Sequence, residues 1–219
     1  MNYQNYFYIM INIFKKKSLN RILQEIYAME KLISGSVAEF GAEAGSSKNF
    51  TNFVKLKNVK KIIYCDKFPK KNETIEEDLE NKLSLEDNSI DNIIIFNVLE
   101  HVFNTENALL EINRCLKKNS GTIMGSTPFM HRVHGAPEDY SRYTKQYFEK
   151  ILHKTNFTNI TVENLGFGAF TSAYAIIFDY LKLIPFLNNI VLTFCLILDK
   201  FISLIVKTKT KNIYPIAVC

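Results

Sequence analysis

The chain has 219 residues, 47% of them hydrophobic, which suits one well-cored domain and leaves little room for two. Its formal charge of +5 comes without any block of basic residues interleaved with aromatics, which argues against a nucleic-acid partner. Four cysteines (Cys65, Cys115, Cys195 and Cys219) are widely spaced with no C-x-x-C pair, which points to a reducing, cytoplasmic setting and argues against a zinc site.

The N-terminal apolar run, Tyr6 to Phe14, precedes the first lysines and no small-residue cleavage site follows, the wrong order for a secretory signal. Leu19, Ile22, Leu23, Ile26 and Ile33 then form a helical stripe, so residues 1–34 read as an N-terminal helical segment. From residue 35 short apolar runs alternate with helical patterns. "SVAEF" is followed by a predicted helix over about 46–56, and "KKIIYC" by a loop. "DNIIIFNV" precedes a helix, "GTIMGSTP" a loop and a helix, and "NITVENL" comes later.

Punctuation marks two of these helices. One, near 105–118, has Thr105 as cap, Ala108, Leu109, Ile112 and Leu116 as its face, late lysines, and Asn119-Ser120-Gly121 as its stop. The next starts at Thr144, shows Tyr147, Phe148, Ile151 and Leu152, and ends near Asn156. Strands alternating with helices predict an α/β fold: a Rossmann-like, doubly wound sheet over 35–219, with ligands at the carboxyl ends of the strands.

Residues 168–210 read as an apolar helical insertion before the last strand. Phe170, Tyr174, Phe178 and Leu181 make one stripe; over 187–207 only a thin polar line interrupts, at Asn189, Thr193, Lys200, Ser203 and Lys207. Such a helix is buried in protein or in lipid. Asp199 and Lys200 oppose a membrane span, at about 2.5–3.5 kcal/mol each at the bilayer centre. Packing on the domain, packing on a second copy in a homodimer, and docking on the inner face of an anionic membrane all remain open. Lys15–Lys17 and Lys207, Lys209 and Lys211 would suit the last.

Three features carry chemistry. In "SVAEFGAEAGSSKNF" (36–50), Gly41 and Gly45 bracket a turn after a strand, with Ser46 or Ser47 to cap a helix whose free N–H groups would face an anionic or polar ligand. Asp66, directly after "KIIYC", is placed to take both hydroxyls of a ribose or simply to close a turn. "LSLEDNSIDNIIIFNVLEHV" (83–102) joins a turn, a buried strand and "NVLEHV", and "EINRCLKKNSGTIMGSTPF" (111–129) continues it.

Taken together, these motifs resemble the class I S-adenosylmethionine-dependent methyltransferases, nearest the type 11 methyltransferase domains, over about residues 35–165. The resemblance implies S-adenosylmethionine as cofactor. It implies that Glu39, Gly41 and Gly45 cradle the methionine part, that Asp66 takes the ribose, that Asp78 reaches the adenine amino group with Leu79 beside it, and that Asn97 lines the cofactor near its sulfonium. Glu43 departs from the pattern, standing where a glycine is usual, so its side chain must turn away from the cofactor. "HRVHGAPEDYSRYT" (131–144) resembles a segment of methyltransferases from bacterial glycan and lipid pathways.

Methyl transfer is an in-line displacement served mainly by positioning, and a hydroxyl acceptor also benefits from a base. His134 is the expected base. His131, Asp139, Tyr140, Arg142 and Tyr143 are the expected acceptor-binding residues, Arg142 suiting a phosphate or carboxylate. Asp139, Arg142 and Tyr143 read equally well as braces of a loop. In some quinone-pathway relatives the Glu100–His101 pair helps bind a metal. No third ligand is evident from the spacing, so no metal is expected. The reading is an O-methyltransferase acting on a glycan, a lipid-linked sugar or another small molecule. Its rivals are a non-catalytic scaffold of the same fold and a nicotinamide-dependent oxidoreductase, which would need the tighter G-x-G-x-x-G turn that is missing here.

Overall fold

Two helices precede the first strand: α1 (Tyr3–Phe14) and α2 (Leu19–Met29). The structure, a computed structural model, describes residues 3–135, 137–206 and 212–219. Lys207, Lys209 and Lys211 therefore lie outside the described residues. The remaining elements are β1 (Leu32–Phe40), β2 (Lys55–Asp66), β3 (Thr74–Glu76), β4 (Asn92–Phe96), α3 (Thr105–Cys115), β5 (Thr122–Pro128), α4 (Lys145–Lys154), β6 (Asn164–Leu165), α5 (Ala169–Leu181), α6 (Pro185–Ile205) and β7 (Ala217–Val218).

Contacts divide the chain into two compact units. The larger holds Tyr27–Thr127 and His134–Val162; the smaller holds Met1–Ile26, Pro128–Val133 and Glu163–Cys219. This grouping differs from a simple cut near residue 34, because the N-terminal helices share a core with the C-terminal ones.

In the larger unit the parallel strands run in the order β3-β2-β1-β4-β5. The central strands are buried on both faces, as a parallel sheet requires: Val37, Ala38, Ile93 and Ile94 have no exposed surface. Phe50 stacks on Phe96 with ring centroids 3.9 Å apart, closing one face together with Ile33, Val37, Val54 and Ile94. Two predicted caps prove close. Thr144 Oγ1 accepts the Tyr147 amide at the start of α4, while α3 is capped by Asn104, one residue before the expected Thr105.

The predicted helix over 46–56 is not formed. After β1 the chain turns through Gly41 and Gly45, both at φ +68°, and makes only a single 3₁₀ turn at Phe50–Asn52. The physical reason is competition from side chains. Glu39 accepts the amides of Phe50 at 2.5 Å and Thr51 at 3.0 Å, Ser46 Oγ accepts the Lys48 amide, and β2 begins as early as Lys55.

In the smaller unit α1, α2, α5 and α6 enclose a core of Ile9, Ile13, Leu19, Ile22, Tyr174, Phe178 and Leu192, and β6 pairs antiparallel with β7. Within α6, Asp199 turns inward and is 3% exposed. It accepts the amides of Phe170 (3.0 Å) and Thr171 (2.9 Å) and the Thr171 hydroxyl (2.7 Å), capping α5 from across the helix pair. Among the described residues α6 is the one helix long and apolar enough to cross a membrane by length and composition. Phe186, Phe194, Ile197, Phe201 and Leu204 on it are exposed.

Candidate active site

The carboxyl ends of β1, β2, β3 and β4 open onto a cavity of about 220 Å³ in the larger unit, lined by Gly41, Asp66, Lys67, Asp78, Leu79, Asn97, His101 and Glu138 among others. This is where an open α/β sheet takes its ligands. Gly41 is required here: a Cβ would stand 2.5 Å from Val98 Cγ2, and its φ of +68° is a left-handed conformation. Asn97 follows β4 at φ +56° and ties back to β5 through its amide on Ser126 O at 2.7 Å.

Asp66 closes β2 with an Asx turn, Oδ1 accepting the Phe68 amide at 2.8 Å, and lines the cavity. Asp78 also reaches it, but in partnership: Lys67 Nζ stands 3.1 Å from its Oδ2, and Oδ1 accepts the Glu80 amide at 3.0 Å. Asp78 in turn raises the pKa of Lys67. Leu79, 5% exposed, supplies an apolar wall. Of the expected cofactor residues, Gly41, Asp66, Asp78, Leu79 and Asn97 thus meet at one cavity.

Glu39 and Gly45 do not line it. Glu39 is 3% exposed and spends its carboxylate on the turn after β1. Glu43 answers the departure noted in the sequence. Its carboxylate accepts the Lys70 amide at 2.6 Å and the Thr74 hydroxyl at 3.0 Å, and it is not part of the cavity wall. Because the helix after β1 is not formed, the expected helix N-terminus is not there either. The turn amides of Ala42, Ala44, Ser46, Lys48 and Asn49 are already bonded to protein oxygens.

A buried cluster stands beside the cavity. Glu100 has no exposed surface and neither carboxylate oxygen has a hydrogen-bond partner; burial pushes its pKa up to about 8. His101 holds its Nδ1 2.5 Å from the Glu138 carbonyl, which fixes Nδ1 as the donor and leaves Nε2, 3.7 Å from Glu100 Oε1. The rings of His101 and His134 meet edge to face, centroids 5.0 Å apart. His134 Nδ1 lies 3.3 Å from Asp139 Oδ2, and the His134 amide donates to the same oxygen at 2.8 Å. The residue that spacing alone does not bring beside the Glu100–His101 pair is His134.

The other expected acceptor residues are partly engaged. Arg142 grips Asp139 through Nη1 (2.5 Å) and Nη2 (2.7 Å) and holds its carboxyl well below the usual range. Tyr143 is 6% exposed, with its hydroxyl on Leu99 O and Thr105 Oγ1, so it braces the loop from inside. Tyr140 is half exposed, its ring edge to face with Phe103. His131 belongs to the smaller unit, where it lines a separate cavity of about 280 Å³ with Lys16, Arg132, Asp179 and Lys182. Sequence reasoning missed Lys67 and Glu138 at the main cavity; a lysine directly after the acid that ends β2 was the available signal for the first.

Residues 42–124 match the family model described as a methyltransferase domain. No curated protein matches the chain in sequence. Among solved structures, the chain is similar to the Haloferax volcanii complex between the Trm112 methyltransferase activator and a methyltransferase, with TM-score 0.53 and 14% identity, covering 69% of this chain and 77% of that one. It is also similar to phosphoethanolamine N-methyltransferase 2 of Haemonchus contortus in complex with phosphomonomethylethanolamine and S-adenosylhomocysteine. There the TM-score is 0.51 and the identity 14%, over 82% of this chain and only 49% of that one. Likeness at this identity is a likeness of fold. Residues 42–124 thus match a methyltransferase-domain model, and they lie in a Rossmann-like α/β fold of the kind these structures share.

Proposed function

We propose that the chain methylates an oxygen of a small hydroxyl-bearing acceptor, a glycan or lipid-linked sugar, using S-adenosylmethionine held at the ends of β1 to β4. The observation that carries this reading is the meeting of Gly41, Asp66, Asp78, Leu79 and Asn97 around one cavity. Asp66 would accept hydrogen bonds from the ribose hydroxyls. Asp78, steadied by Lys67, would face the adenine amino group, with Leu79 against the ring. Gly41 lets the donor approach the backbone. S-adenosylmethionine supplies an already activated methyl group, so the protein's task is alignment, an effect worth up to about 7–11 kcal/mol in well-aligned systems.

For the acceptor, His134 is the proposed base, with Asp139 facing its Nδ1 to orient the ring and steady the charge it would gain. Tyr140 is the exposed ring available for acceptor contact. Arg142 and Tyr143 are proposed as positioning residues, Arg142 through Asp139 and Tyr143 through Leu99 and Thr105. The exposed apolar side chains of α6 favour an acceptor presented at a lipid surface, and we place the protein at the cytoplasmic face of a membrane.

A second reading, a scaffold of this fold with no methyl donor, is favoured by the missing helix after β1. One titration separates them. S-adenosylhomocysteine at about 100 times its dissociation constant stabilises a binding protein by roughly 2.7 kcal/mol, which a thermal melt reads directly; no shift supports the scaffold. Labelled-methyl transfer over glycans and lipid-linked sugars then tests the acceptor, and flotation with anionic vesicles tests the lipid surface.

A further inference from the structure

We infer that the cavity of about 280 Å³ in the smaller unit is a binding site for a phosphomonoester. Four stretches of chain wall it: the turn after α1, the start of α2, residues 130–132 and the end of α5. Ligand pockets run from about 300 to 1,000 Å³, so this one takes a molecule the size of a headgroup.

Charge selects a dianion. Lys16, Arg132 and Lys182 line the cavity against one carboxylate, Asp179, which leaves two positive charges with His131 neutral. Asp179 fastens two of the three cations at the wall: Arg132 Nε lies 2.6 Å from its Oδ2, and Lys182 Nζ donates to its Oδ1. The third, Lys16, has an exposed side chain and stands just past α1 at φ +64°. A phosphomonoester carries about 1.5 to 2 negative charges at pH 7, which matches this balance where a carboxylate would not. The first turn of α2 adds amides with no intrahelical acceptor, those of Leu19 and Asn20.

Asn20 is the independent sign of a ligand. Its side chain borders the cavity and is 7% exposed, yet no donor among the described residues reaches its enclosed Oδ1. A buried amide left in this state costs free energy unless a ligand completes it. A phosphomonoester can meet both ends of the group. Its oxygens accept from Nδ2, and in its singly protonated form, with a pKa of about 6, its P–OH donates to Oδ1. His131, expected from the sequence to bind an acceptor, is a wall residue of this second site.

The phosphate can come from a soluble ester or from a lipid headgroup. The exposed Ile176 in the wall, with Tyr180 and Leu183 exposed beyond it, favours the lipid. The site needs neither methyl donor nor methyl acceptor, so its failure and the failure of the methyl-transfer reading are separate results.

The test titrates the whole chain with glycerol 3-phosphate by calorimetry, and one equivalent is expected. Lys16→Asn, which suits the same left-handed backbone, and Lys182→Gln should each weaken binding by 10-fold or more, the worth of a charge-assisted hydrogen bond. Asn20→Leu should weaken it as much with no change in charge. That variant should melt no lower than the parent, because it removes an orphaned buried oxygen. All three should keep the parent's S-adenosylhomocysteine affinity. Flotation on phosphatidic acid vesicles, with phosphatidylserine vesicles of equal charge as control, separates the sources. Preference for phosphatidic acid, competed away by glycerol 3-phosphate, assigns the lipid; calorimetric binding without that preference assigns a soluble ester. No heat from glycerol 3-phosphate together with equal flotation on both vesicles overturns the proposal. Unchanged affinity in Asn20→Leu overturns it as well, since the cations would then be acting as surface charge alone.

Discussion

Glu43 accepts the hydroxyl of Thr74 at 3.0 Å, while Thr74 Oγ1 accepts the Ala44 amide at 2.9 Å, so the turn after β1 is laced to the start of β3. The acid that stands in a glycine position is therefore a fastening. Glu43→Gln is expected to change S-adenosylhomocysteine affinity less than threefold by calorimetry, because the charge faces Lys70 and Thr74. Glu43→Ala should lower the unfolding free energy by about 1–2 kcal/mol, leaving the Lys70 amide unpaired.

Asp66 differs in having a single turn bond to its carboxylate. Asp66→Ala should weaken S-adenosylhomocysteine by roughly 10–100-fold, the worth of one or two hydrogen bonds to a charged acceptor, with a melting temperature close to the parent's. Equal affinity in parent and variant would remove Asp66 from the cofactor site.

Asp91 gives the pH dependence. Lys117 Nζ, 2.8 Å from both oxygens, and the Ser36 amide hold its carboxyl below the ordinary 3.8. A depressed folded-state pKa adds stability that is present above the unfolded value and lost as pH falls through the folded one. Asp91→Asn should therefore cost about 1–2 kcal/mol at pH 7, and the gap to the parent should close below about pH 3.8 in urea titrations.

Asp199→Ala tests the inward acid of α6. It removes a cap shared by two amides and a hydroxyl, an expected loss of about 2–3 kcal/mol. Hydrogen exchange should quicken first at Phe170 and Thr171. A uniform change across the chain would mean that the cap is not local to α5.

Much of this was legible because it is periodic or punctuated. The buried run Asn92–Phe96, the Thr144 cap and the acid closing β2 each carry a local signal. The absent helix after β1 did not, because it is decided by Glu39, a residue outside the window, reaching the amides of Phe50 and Thr51. The grouping of Glu100 with His134 was likewise hidden, since 34 positions of chain separate residues that fold side by side. Asp199 reads as an obstacle in an apolar run until its partners on α5 are known.

Asn58, Asn88, Asn97, Asn119, Asn156 and Asn159 all adopt left-handed backbone angles, φ 53–66°, in a chain with only 8 glycines. Asparagine tolerates this region better than other side chains do, and its codons begin with two adenines where those of glycine begin with two guanines. A gene drifting toward adenine and thymine can thus shed glycine at its bends and keep the bends.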